Sequence, residues 1–120
     1  MKPRVLIVDD SQYTVDMIRE IIGDEFEVVG ETGHGKQAIS LYEELDPDIV
    51  VMDLVISGPD GIKATAGIKR ADPDAKVIIL SSVDNRSKRQ QAADAGADDY
   101  MKKPFEPEEL KAKLRKIAPG

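Results

Sequence analysis

Residues 48–53 read Asp48-Ile49-Val50-Val51-Met52-Asp53, four apolar side chains that stop on a carboxylate. A run this short, β-branched and bounded by polar residues, predicts a strand covered on both faces. Three more segments repeat the pattern. Val5-Leu6-Ile7-Val8 stops on Asp9-Asp10, Val77-Ile78-Ile79-Leu80 on Ser81-Ser82, and the short Tyr100-Met101 on Lys102-Lys103-Pro104. Each predicted strand hands a polar or charged group to its carboxyl end. In an open parallel sheet that edge is where sites are built.

Between these runs the apolar period lengthens to that of a helix. Val15, Ile18 and Ile22 recur at three- and four-residue steps, as do Ala38, Leu41, Tyr42 and Leu45, and then Leu110, Leu114 and Ile117. The spacing predicts helices over 12–23, 35–45, 61–71, 85–95 and 107–117. Gly23 suits the end of the first, Gly96 follows the fourth, and Pro107 suits the first turn of the last. The strands fall at Arg4–Val8, Glu27–Gly30, Ile49–Asp53, Lys76–Leu80 and Asp99–Lys102. Strict βα alternation predicts an α/β fold: a doubly wound, five-stranded parallel sheet with five helices on its two faces.

The chain has 120 residues, enough for one domain, here read as 1–120. Hydrophobic residues make up 41% of it, which argues against disorder. It has no cysteine, so disulfides, thiol catalysis and thiolate metal sites are excluded together. Its one histidine, His34, lies between Gly33 and Gly35 and reads as an exposed loop residue. No apolar run approaches the ~20 residues that span a bilayer, and the N-terminus does not read as a signal peptide. A cytoplasmic protein without membrane contact is expected. The net charge of −6 argues against general nucleic-acid binding. The charge is uneven: residues 1–84 hold eight basic and seventeen acidic groups, residues 85–120 nine and six.

Asp9, Asp10 and Asp53 would end neighbouring strands, which run ~4.8 Å apart. Any one of these aspartates alone is as well explained by a turn or a helix cap. Three together repel one another, and a hard cation relieves that repulsion. An all-oxygen set favours Mg²⁺ or Mn²⁺ over Zn²⁺. Lys103 opens the loop after the fifth strand and can reach across the sheet edge as a point charge. Strand alternation turns Lys102 the other way, toward solvent. Ser81, with Ser82 as competitor, could donate a hydroxyl to a phosphoryl oxygen.

These motifs, with Gly61 eight residues after Asp53, Ala95-Gly96-Ala97-Asp98-Asp99-Tyr100 and Lys103-Pro104-Phe105, resemble those of response-regulator receiver domains of the CheY-like, single-domain type. The resemblance covers essentially the whole chain, and it, not the pattern, supplies the strand order 2-1-3-4-5. It implies that Asp53 is the phosphoryl acceptor, taking the group from a phosphohistidine on a sensor histidine kinase. It implies Mg²⁺, with Mn²⁺ able to substitute, on Asp9, Asp10, Asp53 and the backbone carbonyl of Val55. Lys103 would pair with a phosphoryl oxygen, Ser81 would move to bind the phosphoryl group, and Tyr100 would swing inward as it does. Lys103-Pro104 would be a cis bond. The output face would be the fourth helix, fifth strand and fifth helix of a monomer, binding a flagellar motor component in chemotaxis or a phosphotransfer protein in a relay. A receiver of a longer transcriptional regulator stays open.

Two positions depart from the family pattern. Ile56-Ser57 stand where Met-Pro is usual, so the loop after Asp53 is expected to follow a different path. Val55 and Val83 flank the site and cannot hydrogen-bond an attacking water, which predicts slow self-dephosphorylation and a switch, not an enzyme. Arg86, Lys88 and Arg89, with Lys111, Lys113, Arg115 and Lys116, place a basic excess on the expected output face; they read as solvated helix faces, partly favoured by the dipole at the end of the fifth helix, or as a surface suited to an acidic partner. The rival readings fit less well. A haloacid-dehalogenase-like phosphatase wants a second aspartate where Val55 stands. A flavodoxin-like cofactor binder wants a Gly/Ser/Thr-rich loop where Asp9-Asp10 would repel phosphate.

Overall fold

The computed structural model describes residues 1–119. The elements run β1 (Arg4–Val8), α1 (Gln12–Ile22), β2 (Glu27–Thr32), α2 (Gly35–Leu45), β3 (Ile49–Met52), α3 (Gly61–Ala71), β4 (Val77–Ser81), α4 (Arg86–Asp94), β5 (Asp99–Lys102) and α5 (Pro107–Ile117). All strand pairs are parallel, in the order β2-β1-β3-β4-β5. The order reverses between β1 and β3, and ligand sites open outside the carboxyl ends of the strands at such a point, a rule for which CheY-like proteins are themselves a standard example.

Side-chain alternation divides the core in two. Val5 and Ile7 of β1 pack with Ile49, Val51, Ile78 and Leu80 against Val15, Ile18 and Ile22 of α1 and Leu110 and Leu114 of α5. Leu6 and Val8 face the other way, with Val50, Met52 and Ile79, against Ala38 and Tyr42 of α2, Ala64 and Ile68 of α3 and Ala92 of α4. Strands 1, 3 and 4 are covered on both faces, as their unbroken apolar runs predict.

The boundaries differ from expectation where polar groups pair. β2 continues through Glu31 and Thr32, opposite Ile7 and Val8, after a register shift that sets Leu6 against Gly30. Those two polar residues do not read as strand, yet Glu31 is tolerated because it is half-exposed on the edge, and Thr32, though buried, bonds Gln37 and accepts from His34 N–H. Ser81 belongs to β4, where it pairs with Lys102. Gly23 does follow α1, but in a right-handed conformation that any residue can adopt (φ −63°). Gly96 sits one residue beyond the α4 cap with φ +104°, the left-handed ending glycine permits. α2 instead ends on Asp46 at φ 48°.

The loop after β3 follows a pinned path. Gly35 N–H donates to the Ser57 carbonyl at 2.9 Å, and Ser57 N–H donates to the Gly33 carbonyl at 3.0 Å. Gly58 takes φ +73° against the His34 ring, which leaves no room for a Cβ. His34 is exposed and caps α2, its Nδ1 accepting from Lys36 N–H at 3.2 Å. Ser57 thus closes the loop onto the β2–α2 connection by backbone bonds alone.

Candidate functional site

β1 and β3 run in register to Val8 and Met52, and the ladder extends one step further as Asp53 N–H donates to the Val8 carbonyl at 2.8 Å. On the other side Asp9 N–H donates to the Thr32 carbonyl at 2.9 Å, so the unforeseen end of β2 is what holds Asp9. Asp9 and Asp53 therefore leave adjacent central strands together. They are 5% and 8% exposed, whereas Asp10 is open to solvent. One carboxylate oxygen from each of the three lies within 4.8 Å of the others. This is the convergence the strand ends predict.

Local chemistry fixes each member. Asp9 Oδ1 accepts from Ser11 N–H at 2.9 Å, and Ser11 caps α1 by accepting from Thr14 N–H at 3.3 Å. A Cβ on Gly33 would lie 2.7 Å from the Asp10 Cα, so only glycine lets the β2–α2 loop pass behind it. A Cβ on Gly61 would lie 2.0 Å from the Asp53 carbonyl oxygen. The eight-residue spacing from Asp53 to Gly61 thus records the close approach of α3 to the site. Asp53 Oδ1 accepts from Val55 N–H at 3.4 Å, and the Val55 side chain is 60% exposed.

Lys103 supplies the counter-charge. Its N–H donates to the Ser81 carbonyl at 2.9 Å, which continues the β4–β5 ladder, and a cis bond joins it to Pro104. Its ammonium reaches Asp9 Oδ2 at 2.6 Å and Asp53 Oδ2 at 3.3 Å. The resemblance points Lys103 at a phosphoryl oxygen; here its nearest contact is Asp9. Lys102 is exposed, as alternation predicts.

The two switch candidates meet in the β4–α4 loop. Ser81 is fully buried, and its Oγ accepts from Val83 N–H at 3.1 Å; Ser82 is exposed. The Tyr100 ring is 7% exposed, so it occupies the inward position, with its hydroxyl donating to the Val83 carbonyl. Burial, then the nearby Asp84 charge, pushes the Tyr100 hydroxyl pKa above its ordinary value. Arg89 and Asp84, which the sequence reading did not join to this group, complete it. The Arg89 guanidinium lies 4.6 Å from the Tyr100 ring centroid and forks onto Asp84 at 2.6 and 3.1 Å. That pairing lowers the Asp84 pKa and raises that of Arg89. The five-residue step from Asp84 to Arg89 carries no warning in one dimension, because the chain turns into α4 between them.

Three oxygen donors around one point suit a hard divalent cation, with Asp9, Asp10 and Asp53 as the residues able to hold it. A buried carboxylate beside an ammonium suits transfer of an anionic group. Residues 5–115 match the response regulator receiver domain family. The chain belongs to that family. This receiver domain is 43% identical over 106 residues to the chemotaxis protein CheY of Halobacterium salinarum, covering 88% of each chain. It is 40% identical over 119 residues to CheY of Thermotoga maritima, covering 98% of this chain and 99% of that one. The CheX–CheY–BeF3–Mg complex of Borrelia burgdorferi superposes with a TM-score of 0.90 at 26% identity, covering 95% of this chain and 87% of that one. The protein is accordingly a receiver of the two-component response-regulator type.

The basic excess on α4, β5 and α5 is partly neutralised from within. Arg89 pairs with Asp84, Lys113 with Asp99, Lys111 with Asp24 and Arg115 with Glu25. The last two lean toward the α1–β2 loop. Arg86, Lys88, Lys102 and Lys116 form no ion pair among the described residues. No helix among them is long and apolar enough to cross a membrane.

Proposed function

We propose that this receiver domain takes a phosphoryl group onto Asp53 from the phosphohistidine of a sensor histidine kinase, in a Mg²⁺-dependent reaction, and that the α4–β5–α5 face carries the signal to an output protein. One observation carries this reading: three carboxylates converge at the carboxyl edge of the central strands, and the two buried ones share one ammonium. An Asp53 carboxylate oxygen attacks phosphorus as the P–N bond to the histidine breaks, and an acyl phosphate forms. Lys103 turns from the carboxylates to a phosphoryl oxygen, where its charge is needed as the group arrives. Asp9, Asp10, Asp53 and the Val55 carbonyl would hold Mg²⁺, with Mn²⁺ as a substitute. The ion supplies neutralisation of the equatorial oxygens. Ser81 leaves Val83 N–H to donate to the new group, which brings about −2 charge, and Tyr100 responds through Val83.

The protein acts as a switch and not as an enzyme that turns over product, and residues 1–120 form one receiver working as a cytoplasmic monomer. The relatives named as chemotaxis proteins favour that pathway; a flagellar motor component would then be the output, and binding to a phosphotransfer protein instead would assign the chain to a relay. The test is incubation with acetyl phosphate and Mg²⁺, followed by intact-mass measurement. One phosphoryl unit should be gained by the native protein and by none of Asp53→Asn. A gain that persists in Asp53→Asn, or turnover to inorganic phosphate without a stable adduct, overturns the reading.

A further inference from the structure

Residues 81–100 contain a closed ring of contacts. Ser81 Oγ accepts from Val83 N–H, the Val83 carbonyl accepts from the Tyr100 hydroxyl, the Tyr100 ring lies under Arg89, and Arg89 forks onto Asp84 next to Val83. Arg89 sits in the first turns of α4, whose N-cap Asn85 accepts from Lys88 N–H at 2.8 Å, so the guanidinium is offered from a fixed helix end. The fork on Asp84 fixes the orientation of the planar guanidinium, a two-point hold that a lysine reproduces only in part. A cation over a tyrosine face attracts the ring quadrupole. The Arg89 side chain remains about half exposed while the ring beneath it is 7% exposed. It therefore lies between the ring and solvent.

We propose that Arg89, held by Asp84, is a latch that keeps the Tyr100 ring in its buried position and so sets the resting balance of the α4–β5–α5 face. Arg89 is a positioning residue: it touches no group at the carboxylate site. Any movement of Ser81 away from Val83 shifts the 82–84 loop, and with it Asp84, so the latch loosens or tightens with the loop. That consequence for signalling rests on the phosphoacceptor reading above; the latch itself does not.

The test uses the full chain labelled with 3-fluorotyrosine. Three fluorine lines arise, from Tyr13, Tyr42 and Tyr100, and Tyr100→Phe identifies the third. Broadening by a dissolved nitroxide reads how often the ring is exposed. Arg89→Ala should raise the exposed fraction of Tyr100 about two- to fivefold while leaving the Tyr42 line unmoved. Asp84→Asn should give a smaller rise, and Arg89→Lys should restore part of the protection. An unchanged Tyr100 line in Arg89→Ala, or Arg89→Lys no better than Arg89→Ala, overturns the latch. If the Tyr42 line also moves, the fold is disturbed, and the Asp84→Asn and Arg89→Lys lines decide by the same criteria. The phosphoryl mass gain on Asp53 is measured separately in the native protein, so its absence counts against the phosphoacceptor reading alone.

Discussion

Replacing Lys103 with Met removes the ammonium that touches both buried carboxylates. At an effective dielectric near 20, a unit-charge pair at 2.6 Å is worth about 6 kcal/mol and one at 3.3 Å about 5 kcal/mol before desolvation. Burying the three groups cancels most of that. What remains is the cost of stranding two carboxylates that are nine-tenths buried, about 3 kcal/mol for the loss of one partner from a buried pair. A domain of this length has an unfolding entropy of about 0.25 kcal/mol/K, so the melting temperature in chelator should fall by about 12 °C. On the proposed reading magnesium would bind the same oxygens, and only in the folded state. At ten times its Kd it returns about 1.4 kcal/mol, or about 6 °C, and the gain should be larger in Lys103→Met than in the parent because no ammonium competes. Thermal melts followed by circular dichroism, with EDTA and with MgCl₂, read both effects. A loss under about 3 °C in EDTA, or equal Mg²⁺ shifts in the two proteins, refutes the picture of Lys103 as the resting counter-ion.

Asp10→Asn removes an exposed charge beside two others and should raise the chelator melting temperature by a few degrees, since repulsion of this kind costs about 0.5–1 kcal/mol; calorimetric titration should find Mg²⁺ binding weakened at least tenfold. Val83→Glu should shorten the acyl-phosphate lifetime by giving an attacking water a hydrogen-bond acceptor, while Val83→Ala leaves it within about twofold; a lifetime that shortens in Val83→Ala and lengthens in Val83→Glu contradicts this. Tyr42 donates to Asp72 at 2.7 Å, which raises the Tyr42 pKa, chiefly by burial, and lowers that of Asp72. The Asp72 contribution exists above the ordinary carboxylate range and is lost as pH falls through its lowered value; the Tyr42 contribution exists below about pH 10 and is lost as pH rises beyond it. The stability gap between native protein and Tyr42→Phe, from urea melts across pH, should therefore be widest near neutrality and close at both ends.

Burial periodicity made most of the fold legible. The runs at residues 5–8, 49–52 and 77–80 have no polar face, so they admit only central strands, and the helices follow from what must cover them. The carboxylate site was legible for the same reason: Asp9 and Asp53 come one residue after buried runs in adjacent strands, so their convergence is a matter of register. Glu31 and Thr32 were not legible as strand, because Glu31 is half-exposed on the edge and Thr32, though buried, is polar, so neither carries an apolar signal. The true partners of the basic residues were hidden too. Lys111 and Arg115 read as parts of an output surface, yet they pair with Asp24 and Glu25 across 87 and 90 residues of chain. Long flexible cations choose partners by three-dimensional proximity, and no period records that.

The charges at the sheet edge explain why one domain can both rest and switch. Three carboxylates without compensation would cost stability, and Lys103 already meets two of them. On the proposed reading, a cation and a phosphoryl group would compete with that lysine instead of filling a vacant repulsive pocket. The free energy of their arrival would be correspondingly smaller, and what they would displace is a group tied to Tyr100 by the backbone of β5 and to Ser81 by a ladder hydrogen bond. Lys103 N–H holds the Ser81 carbonyl, Ser81 holds Val83, and Val83 holds Tyr100. A change of charge at Asp53 would thus be felt first by Lys103 and, through its bond to the Ser81 carbonyl, by Ser81. A signal confined to one would be a local rearrangement; a signal on both moves the β4–α4 loop relative to β5, which is the surface a partner would meet.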